Sequence, residues 1–102
     1  MLKPNVLKMK REIAEIEKIV KPVLHTYGVR AASVVGSVAR QEHTDESDID
    51  IVVEITSPLS LLTFAKIKRK LEEALNTKVD LIERTAIKPR LKKHLLKNEV
   101  SL

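Results

Sequence analysis

Apolar residues recur every three or four positions from Val6 to Tyr27, at Val6, Met9, Ile13, Ile16, Val20, Val23 and Tyr27. That spacing gathers side chains on one face of an α-helix. It predicts an amphipathic helix with a core-facing stripe, since three heptads in a small globular chain are more often a stripe than a coiled coil. Pro22 lacks the N–H of a helix interior and is expected to kink the helix or to start a second one, and Gly28 is a natural left-handed stop. Val29 to Val35 is short, small and β-branched, which predicts a buried strand ending at Gly36-Ser37. A short helix over 37–41 and a polar loop over 43–47 follow. Asp48 to Ile55 mixes alternation with a continuous apolar stretch and predicts a central strand. Ser57 is a candidate N-cap with Pro58 at the first helical position, and Leu61, Phe64, Ile67, Leu71 and Leu75 then keep helical spacing up to Asn76. Lys78 to Glu83 predicts a third strand, with Val79 and Leu81 on one face and Asp80 and Ile82 on the other. Pro89 can start a last helix with Ile87, Leu91, Leu95 and Leu96 on its apolar side.

Strands separated by helices predict an α/β layer, a small sheet covered mostly on one face. Three strands leave that sheet an exposed edge or face that a partner chain can cover. With 102 residues there is room for one core, so residues 1–102 are expected to form one domain. The 43% hydrophobic and 32% charged residues are a globular composition. No apolar run approaches the ~18 residues needed to cross a bilayer, and Met1-Leu2-Lys3-Pro4 does not open a signal peptide, so a cytoplasmic location is expected. The absence of cysteine excludes disulfides, thiolate metal sites and a cysteine nucleophile. The net charge of +5 suggests an anionic partner. Its distribution says more. Residues 31–60 carry one base, Arg40, against six acids, while both flanking segments are basic.

The acidic middle holds the candidate chemistry. Asp48 and Asp50, two apart on a strand, point to one face about 6–7 Å apart along the backbone. Side by side they repel and call for a cation, and hard carboxylate oxygens suit Mg²⁺. Asp80, at the same phase on the third strand, supplies a third carboxylate if that strand lies beside the second. Three such acids on one spot suit a two-metal site for phosphoryl chemistry. Upstream, Gly36-Ser37 ends a strand and opens a helix, so a phosphate can approach backbone N–H groups with no Cβ in the way. Ser37 adds a hydroxyl, and Arg40 follows one turn later.

Gly36-Ser37-Val38-Ala39-Arg40 through Ser47-Asp48-Ile49-Asp50-Ile51-Val52-Val53 resembles the nucleotidyltransferase signature of the DNA polymerase β superfamily, specifically the minimal nucleotidyltransferases that act as antitoxins beside HEPN-domain toxins. The resemblance covers nearly the whole chain. Gln41 departs from it, where the family usually has Gly. It implies the polymerase β-like fold, with a small mixed sheet of three or four strands and helices mostly on one face. It also implies ATP as substrate, Asp48, Asp50 and Asp80 as Mg²⁺ ligands, with Asp80 activating the attacking hydroxyl, and Gly36 and Ser37 holding the β and γ phosphates. The implied reaction is transfer of AMP to a tyrosine of a HEPN RNase toxin, in a hetero-oligomer with it. The alternative is an antitoxin that neutralises by binding alone, with a vestigial nucleotide site. A nucleic-acid-binding reading is weaker, because Tyr27 and Phe64 are the only aromatic residues and both fall on core-facing stripes. His25, His43 and His94 are too dispersed for a zinc site. The basic segment Lys88, Arg90, Lys92, Lys93 and Lys97 reads as a solvated face.

Overall fold

The computed structural model describes residues 13–40, 48–57 and 59–102. Along them run α1 (Ile13–Thr26), β1 (Val29–Val35), α2 (Gly36–Ala39), β2 (Ile49–Ile55), α3 (Leu61–Leu75), β3 (Val79–Glu83), a 3₁₀ turn (Arg84–Ala86), α4 (Pro89–Leu95) and β4 (Val100–Ser101). The expected positions Val6 and Met9, the 43–47 loop, Gln41 and Pro58 lie outside the described residues.

The four strands form one sheet in the order β3-β2-β1-β4. β1 runs antiparallel to both β2 and β4, while β2 and β3 are parallel. A parallel pair needs a crossover, and α3 provides it. β4 is the strand that periodicity did not mark out. Two residues cannot display an alternation, yet Val100 and Ser101 pair with Val34 and Ser33.

One face of the sheet carries the main core. Val34 and Ala32 of β1, Ile49, Ile51 and Val53 of β2 and Val79 of β3 cluster with Ile16, Val20 and Leu24 of α1 and Ile67, Leu71 and Leu75 of α3. The buried stripe of α1 thus passes through Leu24, with Val23 and Tyr27 packed at its margin. Pro22 does not break α1. It is exposed, so the Lys18 carbonyl that it leaves without a donor can bond water, while its own carbonyl accepts from Thr26 Oγ1 at 2.9 Å. Gly28 takes the expected left-handed conformation, with φ of +72°.

Two helices differ from their patterns. α3 starts at Leu61 and not at 58, because Ser60 is the cap: its hydroxyl oxygen accepts from the Thr63 N–H at 3.1 Å. Leu61 therefore opens the helix beyond the reach of the core and is 88% exposed. α4 buries no residue at all, and Leu91 is half exposed, so its expected apolar side is not a core face.

The second face of the sheet is polar in plan but not open. Val35 and Val52 are fully buried on it, as is Ser33. Arg84 lies across it, with Nη2 donating to Glu99 Oε2 at 2.7 Å and reaching Ser33 Oγ at 3.5 Å, and with Nε 3.2 Å from Glu54 Oε1 but not aligned for a hydrogen bond. This cluster ties the end of β3 to the residue before β4. Arg84 holds the Glu99 carboxyl below its usual range. A depressed carboxylate contributes stability above its unfolded pKa of about 4.3 and loses it as pH falls. Arg84→Met is expected to cost about 1–3 kcal/mol, because it strands two partly buried carboxylates. Urea melts at pH 7 and pH 4 check this: the deficit should shrink at the lower pH, and an unchanged melt at pH 7 would remove the cluster from the account of stability.

Candidate active site

Period-two alternation places Asp48, Asp50, Val52 and Glu54 on the face away from α1 and α3, and Ile49, Ile51 and Val53 on the face toward them. The ladders then bring distant residues to one row. Asp50 is paired with Val35 on one side and with Asp80 on the other. Gly36 follows Val35 directly, so the first strand delivers the glycine to the place where the carboxylates stand.

Gly36 is glycine for two separate reasons. Its φ is +73°, in the left-handed region that L side chains avoid. A Cβ built on it would also collide with Oδ2 of Asp50, with Asp50 Cγ only 3.3 Å away. Backbone and carboxylate are thus in direct contact at the mouth of the site. Ser37 and Arg40 sit on the turn of α2 that follows, where the Arg40 N–H donates to the Gly36 carbonyl at 3.1 Å.

The electrostatics of the row are unbalanced. Burial pushes the Asp50 carboxyl up to about 6; the adjacent Asp80, which is hydrogen-bonded to it, and the charge of Asp48 push the same way, and Arg40 opposes them. Two carboxylates held this close repel, and a positive charge between them would relieve the repulsion. Asp48 is more exposed and acts on Asp50 only through its charge. Among the described residues no three metal-ligating groups are gathered closely enough to hold an ion as they stand. The expected triad is therefore a contacting pair, Asp50 and Asp80, with Asp48 beside it on the same face. A divalent cation fits this donor set, since it offsets the repulsion between the carboxylates and takes hard oxygen ligands.

Sequence reasoning identified the three acids, the glycine, Ser37 and Arg40, and the structure puts Gly36, Asp50 and Asp80 together, with Asp48 and Arg40 within electrostatic reach. It missed Arg84, Glu54 and Glu99, which fix the neighbouring part of the same face. The available signal was weak: an arginine directly after a strand, and acids 30 residues before it and 15 after it.

The nucleotidyltransferase domain family matches residues 13–101. A protein adenylyltransferase of Methanocaldococcus jannaschii is 41% identical over 90 residues, which are 88% of this chain and 97% of the relative. A solved minimal nucleotidyltransferase aligns with a TM-score of 0.75 at 32% identity, over 87% of this chain and 90% of that one. A complex of a tri-AMPylated Shewanella oneidensis HEPN toxin with its MNT antitoxin aligns with a TM-score of 0.67 at 20% identity, over 84% of this chain and 67% of that one, and shares the fold. The mixed sheet, the glycine pressed against an aspartate and the extent of these matches agree, and the chain belongs to the nucleotidyltransferase family, among its minimal members.

Proposed function

We propose that the chain is a Mg²⁺-dependent protein adenylyltransferase that moves AMP from ATP to a tyrosine hydroxyl of a HEPN RNase toxin and thereby acts as its antitoxin. The observation that carries this reading is the row Gly36, Asp50, Asp80, where a phosphate can approach bare backbone beside paired carboxylates. The relative's name as a protein adenylyltransferase and the AMPylated toxin in the Shewanella complex support the acceptor class. Residues 1–102 work as one domain in the cytoplasm, in a hetero-oligomer with the toxin; no helix among the described residues is long and apolar enough to cross a membrane.

In this reading Asp48, Asp50 and Asp80 hold the metal, two ions in all, and Gly36, Ser37 and Arg40 hold the triphosphate. Mg²⁺, when bound, supplies charge neutralisation for the phosphate oxygens. Asp80 takes the proton of the tyrosine hydroxyl. The tyrosine oxygen then bonds to the α-phosphorus as the bond to pyrophosphate breaks, so that one AMP is gained and one pyrophosphate released. Gly36 and Ser37 contribute by orientation, which is most of what an in-line displacement needs from a protein.

Incubation with ATP, Mg²⁺ and the HEPN-domain protein of the same genome, followed by intact mass measurement, tests the reading. A gain of one or more adenylyl groups with loss of RNase activity is expected. Protection with no gain in mass would mean neutralisation by binding alone. Asp80→Asn is expected to slow transfer about 10²- to 10⁴-fold, the range for loss of a general base; single-turnover rates that match the parent would remove Asp80 from that role.

A further inference from the structure

An apolar groove of about 680 Å³ lies between the outer edge of β3 and the first turn of α3, lined by Ile55, Leu59, Leu61, Phe64, Leu81 and Ile82. At its rim Leu61 and Leu62 stand 88% and 84% exposed. Large apolar side chains paired on one exposed helical turn beside an apolar groove are the pattern of a recognition surface. β3 is also the end strand of the sheet. Ile82 lies two residues beyond Asp80 on the same face, about 6–7 Å along the strand. The groove opens at the C-terminal ends of β2 and β3, so an occupant that continues back along the edge of β3 from Ile82 comes toward the carboxylate that receives the acceptor's proton.

The charge around the groove narrows the occupant. On the β3 side the groove has one acid in its lining, Glu83, whose carboxylate accepts from the Thr85 N–H; on the α3 side no acid occurs from Ser57 through Leu71, and Lys66, Lys68, Arg69 and Lys70 follow the leucines on the exposed side of the helix. Leu62, Lys66 and Arg69 are four and three residues apart and share one stripe. A second copy of this chain would bring the same basic stripe, and its own +5 charge, against the first. A partner with apolar anchors at helical spacing and acids beside them meets both halves of the surface.

We propose that this groove and the Leu61-Leu62 turn are the docking site of the protein that accepts AMP, and that they take an amphipathic helix with an acidic flank. The proposal rests on the adenylyltransferase reading above. It adds where the acceptor is gripped: along β3, with its hydroxyl free to reach Asp80. Affinity comes from the apolar anchors, and the lysines and Arg69 speed and orient the encounter.

The test uses the full chain and the HEPN-domain protein of the same genome as probe. Leu61→Asp with Leu62→Asp should leave the melting temperature and ATP binding unchanged and weaken binding of the probe about 100-fold, with transfer falling through KM and not kcat. Lys66→Glu with Arg69→Glu should weaken it about tenfold and flatten its salt dependence. Parental affinity in the leucine variant overturns the proposal while leaving transfer intact. So does a self-association of the parent that the leucine variant loses, or binding to anionic phosphatidylserine vesicles that it loses while probe binding persists. A parent that neither binds nor modifies the probe overturns the adenylyltransferase reading, and this proposal with it.

Discussion

Asp50→Asn is expected to reduce AMP transfer by at least about 10³-fold and, in the same protein, to raise stability without metal at pH 7.5. The two effects have one origin. Asp50 stands between Asp80 and Val35, touching Gly36, where its charge is repelled by two acids and partly cut off from water. Its carboxyl in the folded state lies at about 6, above the unfolded value near 4. A raised acid favours folding fully below its unfolded pKa, and that advantage is lost as pH rises through about 6. The full shift is worth about 3 kcal/mol, and discounting for the solvent that reaches the side chain leaves about 1–2 kcal/mol at pH 7.5. Asparagine removes the titrating charge and with it a metal ligand. Thermal melts in chelator at pH 4.5 and 7.5, beside transfer assays, measure both effects. A variant less stable than the parent at pH 7.5, or a difference that ignores pH, would show that the acids are not in conflict.

Gly36→Ala is expected to abolish transfer to a comparable degree, for a steric reason. The new Cβ would occupy space held by Asp50 Oδ2 in a backbone conformation that alanine adopts only with strain. Forcing a non-glycine residue into the left-handed region costs about 1–2 kcal/mol before the collision is counted. Asp50 must rotate away, which separates it from Asp80 and fills the approach that a phosphate would use. Stability should drop by about 2–4 kcal/mol, and ATP affinity should fall along with the rate. Gly36→Ala with Asp50→Gly distinguishes the collision from the strain, since it restores space but not conformation. If Gly36→Ala binds ATP as the parent does, the glycine is not part of the phosphate approach.

Much of this site was legible because strands repeat every two residues. Asp48 and Asp50 could be put on one face from sequence alone, and Asp80 assigned the matching phase. The pairing itself was not legible, since nothing local says that β3 lies beside β2, or that it runs parallel with Asp80 level with Asp50. Helix spacing predicted α1 and α3 but misjudged where α3 begins. Ser57 and Ser60 are equivalent caps on paper, and only the structure shows that Ser60 holds the Thr63 N–H and leaves Leu61 outside the core. The Glu54-Arg84-Glu99 cluster and β4 escaped because they depend on long-range closure, for which a two-residue strand and three scattered charges carry no period.

The entry into β3 is pinned at two points, by Glu72 Oε2 accepting the Val79 N–H at 3.0 Å and by the Ile49 N–H donating to the Lys78 carbonyl at 3.0 Å. A one-residue insertion between Asn76 and Lys78 would have to release both or push β3 along by one position. A slip of one turns every side chain of a strand to the opposite face. Asp80 would then point among the core leucines, and Val79 or Leu81 would stand beside Asp50. The short segment from Asn76 to Lys78 is therefore a length gauge, and descendants of this chain can vary its letters far more freely than their number.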